Sequence, residues 1–78
     1  MEEKLERVVS GVLKREVRFE RDRDASLRDL GLASLHMIQL IGDLEAAFAI
    51  RIEDAEVEPE NFDTLAALLS FVERKASA

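Results

Sequence analysis

Apolar residues recur at helical spacing in three stretches of this chain, so three substantial helices are predicted. The first spans residues 3 to 14 and ends before Val17, where the apolar period breaks. The second spans residues 34 to 48, and the third begins near Thr64, behind a cap at Asp63 or Thr64. The apolar positions of the three helices are, in order, Leu5, Val8, Val9, Val12 and Leu13; Met37, Leu40, Ile41, Leu44, Ala47 and Phe48; and Leu65, Leu68, Leu69 and Val72.

Residues 17 to 33 do not keep this period and are predicted to form a long, charged loop. Three leucines, Leu27, Leu30 and Leu32, are expected to pin the loop to the core. Residues 26 to 29 read Ser-Leu-Arg-Asp, which fits a capping box and favours one tight helical turn.

The segment after the second helix is short. Residues 50 to 52, Ile-Arg-Ile, predict an extended connector with both isoleucines directed inward. A short third helix is expected around residues 54 to 57, and Pro59 either ends it or starts the next turn. These elements predict an all-α fold, a small four-helix bundle with a short third helix and a long loop between its first two helices. It forms one domain over residues 1–78.

The second helix carries apolar residues on two faces. Leu35 and Ile38 fall outside the stripe that faces the core, beside Ser34 and Gly42. An exposed apolar strip at the start of a helix is typical of a contact surface. Ser34 stands at the positive end of the helix dipole, where a phosphate ester would be stabilised. The residues expected to meet a partner are Leu35, Ile38, Gln39, Gly42 and Glu45.

The length and composition of the chain exclude several kinds of functional site. Seventy-eight residues make one small domain, which buries only about 60% of its unfolded surface and leaves little room for an enclosed active site. The chain has no cysteine and one histidine, so a disulfide framework, a thiolate metal site and a His-rich metal site are excluded. No stretch approaches the roughly 20 apolar residues of a membrane span. We expect a cytoplasmic monomer without nucleic-acid or membrane partners.

The negative charge is confined to the C-terminal part of the chain. Residues 1–30 hold eight acidic and eight basic residues, whereas residues 31–78 hold nine acidic and three basic ones, which gives the net charge of −6. A run of acids without a base lies at Glu53, Asp54, Glu56, Glu58, Glu60 and Asp63. This run is either a solvated face or a docking surface.

The spacing of Asp22, Asp24 and Ser26 is similar to the opening of a calcium-binding loop. The glycine needed at the sixth position of such a loop is replaced by Leu27, and the bidentate glutamate at the twelfth is replaced by Ala33. A solvated charged loop without a metal ion is therefore expected.

Residues 30 to 35 read Leu-Gly-Leu-Ala-Ser-Leu, and the helix that follows ends at residues 44 to 48 with Leu-Glu-Ala-Ala-Phe. This pattern resembles the signature around the phosphopantetheine serine of acyl and peptidyl carrier proteins. The likeness in length and helix order covers nearly the whole chain. One residue departs from it, because the family usually has Asp directly before the serine and this chain has Ala33.

The resemblance implies that a phosphopantetheinyl transferase attaches 4′-phosphopantetheine covalently to Ser34. The thiol would hold an acyl or aminoacyl group as a thioester, loaded by a ligase and passed to downstream acyl-accepting enzymes. The protein itself would not be an enzyme. Fatty-acid carriers have several acids on the exposed face of the second helix, where this chain has His36, Gln39 and Ala46, so a specialised or secondary-metabolic pathway is favoured. His36 is interpreted as a surface residue.

Three alternatives stay open. The family's Asp helps to bind the metal of the transferase, so Ala33 favours a second hypothesis, a degenerate carrier fold that acts as an unmodified interaction module. Ser34 could instead serve only as the N-cap of its helix. Leu35 and Ile38 could be covered by the loop at residues 17 to 33.

Overall fold

The computed structural model describes residues 1–77 of the chain. Its secondary structure is helical, and no β-strand forms within these residues. The all-α fold and its three long helices are confirmed, each beginning within one residue of the predicted start. In chain order the elements are α1 (Glu2–Leu13), α2 (Phe19–Asp22), α3 (Ser34–Phe48), a 3₁₀ turn (Asp54–Glu56), α4 (Pro59–Phe62) and α5 (Leu65–Ser77).

The core lies where one face of each long helix meets the others. α1 packs along α3, and α5 packs against α4 and α2. Burial of one large apolar side chain stabilises a fold by about 1.5 to 3 kcal/mol. The buried side chains of the long helices are Leu5, Val9 and Val12 from α1, Leu40 and Leu44 from α3, and Leu65, Leu68, Leu69, Phe71 and Val72 from α5. This packing fixes which side of α3 faces inward and leaves the opposite side to solvent.

The predicted loop between α1 and α3 contains a helix that the apolar pattern did not predict. α2 is four residues long, and Phe19 is its only buried apolar residue. The carboxylate of Asp22 accepts a hydrogen bond from the backbone N–H of Arg18 at 3.0 Å, and it pairs with the Arg21 guanidinium at 2.9 Å. The prediction of an unbroken loop is wrong here because side-chain bonds to the backbone, and not a repeated apolar face, hold this turn.

The rest of this connection folds as a hydrogen-bonded turn anchored to the core. Leu27 and Leu30 are buried and Leu32 is half-buried against the core, as predicted. The predicted turn forms, but its cap differs from the prediction. The Ser26 hydroxyl accepts a hydrogen bond from the N–H of Arg28 at 3.2 Å, instead of from the residue after it.

The same connection is clasped to the start of α5. The backbone N–H of Leu27 donates to the carbonyl oxygen of Asp63 at 2.8 Å. One residue later, the Thr64 hydroxyl accepts a hydrogen bond from the N–H of Ala67 at 3.1 Å. Thr64 is therefore the cap of α5, which decides between the two predicted caps.

The short third helix is divided into two parts. A 3₁₀ turn at Asp54–Glu56 lies where this helix was expected, and Pro59 starts a separate short helix, α4. The connector before them is extended, with Ile52 buried and the preceding isoleucine half-buried, as predicted. Phe62 of α4 packs against Phe71 of α5, with ring centroids 5.5 Å apart, so this part of the chain is held to the last helix.

Asp22 should make α2 sensitive to acid. Hydrogen bonds from the Arg21 guanidinium and then from the Arg18 N–H hold the pKa of Asp22 below its ordinary value. Its contribution to stability is complete above the ordinary pKa of about 4 and is lost as the pH falls through the lower folded-state pKa. We expect Asp22→Asn to lower the melting temperature at neutral pH by about 4 to 8 °C, as for a loss of about 1 kcal/mol.

The difference between this variant and the wild type should vanish in circular-dichroism melts at low pH, where Asp22 is itself protonated. Asp24→Asn is the matched control, because Asp24 lies in the same connection but is exposed. Equal destabilisation by Asp22→Asn at neutral and low pH would show that the shape of the side chain matters and its charge does not.

Candidate functional site

Ser34 is the first residue of α3 and is exposed. The N-cap position before it belongs to Ala33, whose backbone is extended (φ −111°, ψ 168°). The hypothesis that Ser34 serves as the N-cap is therefore wrong. The first N–H groups of a helix lack helical partners, and the helix dipole is positive at this end. An exposed hydroxyl group thus stands at a helix end that stabilises anions.

His36 supplies a side-chain cap at the N-terminus of α3, because the methyl group of Ala33 cannot accept a hydrogen bond. Its Nδ1 atom accepts a hydrogen bond from the backbone N–H of Ala33 at 2.9 Å, and the residue is half-buried. The imidazole accepts this bond only in its neutral form, with the proton on Nε2. The helical wheel directed His36 to the surface, and the structure adds a bond that a wheel does not show, because the side chain reaches back along the helix axis. The available signal was its place three residues after the cap, where Glu or Gln usually completes a capping box.

The apolar strip beside Ser34 is open to solvent. Leu35 is 79% exposed and Ile38 is 83% exposed, so the preceding loop does not cover them. Gln39 and Gly42, one helical turn after these two residues, are exposed as well. Four of the five residues expected to meet a partner therefore form one accessible surface, and their partner role stays a prediction.

Glu45, the fifth of these residues, makes a hydrogen bond within the fold. It is half-buried, and its Oε2 atom accepts a hydrogen bond from the backbone N–H of Ile52 at 2.8 Å. The carboxylate thereby holds the connector against the end of α3. A partner contact at Glu45 also stays a prediction, and it would have to share or break this bond.

A cleft of about 230 Å³ opens next to the exposed serine. Ala33 and Met37, which flank Ser34 along the start of α3, both line it. Its other walls come from the connection at residues 26–32 and from residues 57–63 around α4. Two distant parts of the chain, residues 26–37 and residues 57–63, form the cleft, so no local sequence pattern predicts it.

Residues 1–77 contain no helix that is long and apolar enough to cross a membrane. In the same part of the chain, no three His, Asp or Glu side chains converge to hold a metal ion. Asp22, which opens the calcium-like spacing, directs its carboxylate to Arg18 and Arg21.

The sequence matches the family described as phosphopantetheine attachment site over residues 3–72. The chain belongs to this family. Its members are carrier proteins that bear 4′-phosphopantetheine and are not themselves enzymes. An acyl carrier protein from Thermotoga maritima is 34% identical to this carrier over 47 residues, which are 60% of this chain and 56% of that protein. The matched part thus spans little more than half the length of that relative.

Two crystal structures contain carrier proteins of the same fold. A carrier protein from Agrobacterium tumefaciens, in complex with an engineered Bradyrhizobium japonicum glycine:[carrier protein] ligase and AMP, is 22% identical. Its TM-score is 0.78, over 94% of this chain and 99% of that chain. A glycylated carrier protein, in complex with the Bradyrhizobium japonicum ligase, is 28% identical, with a TM-score of 0.74 over 88% and 93% of the two chains.

The acidic run of this carrier contains two kinds of residue. Glu56 is structural, because its carboxylate accepts hydrogen bonds from the backbone N–H of Glu53 and from the Lys75 ammonium group, both at 2.9 Å. These two bonds hold the pKa of Glu56 below its ordinary value. The other five acids are exposed, and Glu58 and Asp63 line the cleft beside the serine. A docking role for the run stays a prediction.

Loss of the His36 acceptor should destabilise the start of α3. His36→Ala removes the partner of the Ala33 N–H, and we expect a loss of about 0.5 to 1.5 kcal/mol, or several degrees in melting temperature. His36→Gln is the matched control, because an amide oxygen at this position can accept the same bond. Unchanged melting temperature and unchanged hydrogen exchange at the Ala33 amide in His36→Ala would show that the bond contributes nothing.

Proposed function

We propose that this carrier bears 4′-phosphopantetheine on Ser34 and holds an aminoacyl or acyl group as a thioester on the thiol of that arm. The observation that carries the proposal is the position of Ser34. It is exposed, begins a helix without acting as its cap, and lies beside an exposed apolar strip. Because the chain has no cysteine, the thiol must come from the arm.

Attachment is a phosphoryl transfer from coenzyme A, carried out with a transferase. The Ser34 oxygen forms a phosphodiester bond with the phosphorus next to pantetheine, the pyrophosphate bond of coenzyme A breaks, and adenosine bisphosphate leaves. The hydroxyl proton passes to a base of the transferase. The negative charge of the product lies at the N-terminus of α3, where the helix dipole favours an anion by about 0.3 to 1 kcal/mol.

An aminoacyl group is the favoured cargo. The carrier in one of the two similar crystal structures is glycylated, and both structures contain a glycine:[carrier protein] ligase. The partners under this proposal are a phosphopantetheinyl transferase, an aminoacyl or acyl ligase that forms the thioester, and downstream enzymes that accept the group. The pathway would be a specialised one in the cytoplasm, with the carrier acting as a monomer.

The work of the carrier under this proposal is to position its cargo. A group on a short flexible tether meets a bound enzyme at an effective concentration in the millimolar range, whatever its bulk concentration. Leu35 and Ile38 supply the apolar contact that brings the enzyme to the start of α3, next to the arm. The carrier needs no catalytic group of its own.

An unmodified interaction module is the second candidate function. Ala33 favours it, because the carboxylate that carriers of this kind usually have at this position assists the metal of the transferase. His36 restores the closure of the helix but supplies no carboxylate. The two functions differ in one measurable property, the modification of Ser34.

Incubation with coenzyme A and a promiscuous phosphopantetheinyl transferase should add one phosphopantetheine group per chain, as measured by intact mass. Ser34→Ala should stay unmodified, because it lacks the nucleophile. Ser26→Ala, the matched control at the edge of the same cleft, should be modified like the wild type. A mass increase on Ser34→Ala would contradict the assignment.

Ala33→Asp separates the two candidate functions in the same assay. The added carboxylate should speed modification, and it can also cap α3, which adds up to about 1 kcal/mol of stability. If several transferases leave the wild type unmodified and modify Ala33→Asp, the carrier proposal fails and the interaction module is favoured.

Ile38→Ala should weaken loading with little loss of stability, because this side chain is exposed and makes no core contact to lose. We expect kcat/KM for aminoacylation, by a glycine:[carrier protein] ligase that loads the wild type, to fall about five-fold or more, equivalent to about 1 kcal/mol. Leu40→Ala is the contrasting variant, since its side chain is fully buried and its truncation should cost about 2 to 5 kcal/mol. A large fall in the melting temperature of Ile38→Ala would contradict this prediction.

A further inference from the structure

The end of α1 lies beside the start of α3. The Lys4 ammonium group donates a hydrogen bond to the carbonyl oxygen of Ala47 at 2.8 Å, which ties the start of α1 to the end of α3. At the other end, the Arg15 guanidinium donates to the carbonyl oxygen of Leu30 at 3.1 Å, shortly before Ser34 in the chain. The two helices therefore run antiparallel, and the residues that follow α1 are brought to the side of the candidate attachment serine.

Three exposed cations lie at this corner of the molecule, Lys14, Arg15 and Arg28. Lys14 and Arg15 directly follow α1. Arg28 belongs to the turn that Arg15 contacts, because its carbonyl oxygen accepts a hydrogen bond from the N–H of Gly31 at 3.0 Å. It also lines the cleft beside Ser34. We refer to these three residues as the cationic edge.

The charge of the cationic edge is not neutralised within the fold. The six ion pairs found in residues 1–77 include none of its three residues. Glu16, the acid that follows it in the chain, pairs with two other arginines. Asp29, an exposed acid next to Arg28, offsets one of the three charges at most. Glu58 and Asp63 lie on the other wall of the cleft, so positive and negative charges are separated across it.

Lys14 stands where the backbone favours glycine. Its φ and ψ angles are 56° and 42°, in the left-handed region, and glycine is the usual residue at such a helix end because it has no Cβ atom. A lysine near a helix C-terminus interacts favourably with the dipole, which offsets part of this strain. The fold therefore gains little from the lysine, and its charge is available to another molecule.

We propose, building on the function proposed above, that the cationic edge is a docking surface for an acidic face of the ligase that loads the arm. The edge and the exposed strip of Leu35 and Ile38 meet at the start of α3, and an apolar centre with a charged rim is typical of protein interfaces. Cations at such a rim speed the encounter with an acidic partner and fix its orientation. A nucleic acid fits less well, because the net charge of −6 and the acids across the cleft repel phosphates.

The test removes positive charge without disturbing the fold. Lys14→Gly/Arg28→Gln leaves the bond of Arg15 to Leu30 intact, and its melting temperature should equal or exceed that of the wild type. Both proteins are first given the arm, and a glycine:[carrier protein] ligase that loads the wild type is then used. We expect kcat/KM for aminoacylation of the variant to fall about three- to ten-fold at low salt. At about 0.5 M salt the difference should shrink to less than about two-fold, because exposed charges are then screened.

Arg7→Gln/Arg51→Gln is the matched control, because it also removes two exposed cations, one within α1 and one beyond the end of α3. It should be loaded like the wild type. An unchanged or higher kcat/KM in Lys14→Gly/Arg28→Gln, or an equal fall in the control, would overturn the inference. Binding of a fluorescent RNA oligonucleotide that is lost in Lys14→Gly/Arg28→Gln, with loading unchanged, would assign the edge to a nucleic acid instead.

Failure of this inference differs from failure of the proposed function. Attachment of the arm is measured by intact mass before loading, so a variant that is modified and loaded like the wild type leaves the carrier function standing. If the arm is attached and no glycine:[carrier protein] ligase loads it, this inference fails and the attachment stands. If no arm can be attached to the wild type, the proposed function fails and this inference fails with it.

Discussion

The burial of one face of each long helix in a single shared core is the constraint on which the rest of this structure depends. A domain of 78 residues has one small core, and each long helix has to give that core a full face. Leu40 and Leu44 are completely buried, so the rotation of α3 about its axis is fixed. Leu35 and Ile38 then lie outside as a direct result. The surface open to other proteins is produced by the same packing that stabilises the domain.

The separation of α3 into a buried face and an exposed face explains how so small a domain can take part in chemistry. Under the proposed function the reactive thiol and the catalysts are supplied from outside, so the chain needs only a nucleophile, an ordered helix start and accessible surface. His36 orders the helix start through its bond to the Ala33 N–H. The clasp between Leu27 and Asp63 joins the two segments that form the walls of the neighbouring cleft. His36 thus positions the start of α3, and the clasp positions the walls of the cleft. Neither has to take part in a chemical step.

Periodicity predicted the parts of the fold that depend on a repeated face, and it missed the parts that depend on single side chains. The three long helices and the exposed strip follow from apolar spacing, which is read along one helix at a time. α2 does not follow from apolar spacing, because it is held by one buried aromatic residue, Phe19, and by the hydrogen bonds of Asp22. The cleft depends on how α3 sits against residues 57–63, which only tertiary packing decides. The candidate attachment serine came from a resemblance, and Ala33 marks the limit of that resemblance.

Gly42 lies on the outer face of α3, one turn after Ile38, and the fold does not require a glycine there. A Cβ atom placed on it would meet no neighbouring atom within 4 Å, and its position in the helix is an ordinary one. Glycine inside a helix costs about 0.5 to 1 kcal/mol relative to alanine. Without a side chain at this position, the backbone of another chain could come closer to α3 than any side chain would permit. The isolated domain bears the whole cost of this glycine, and only the partner contact predicted for this face would recover it.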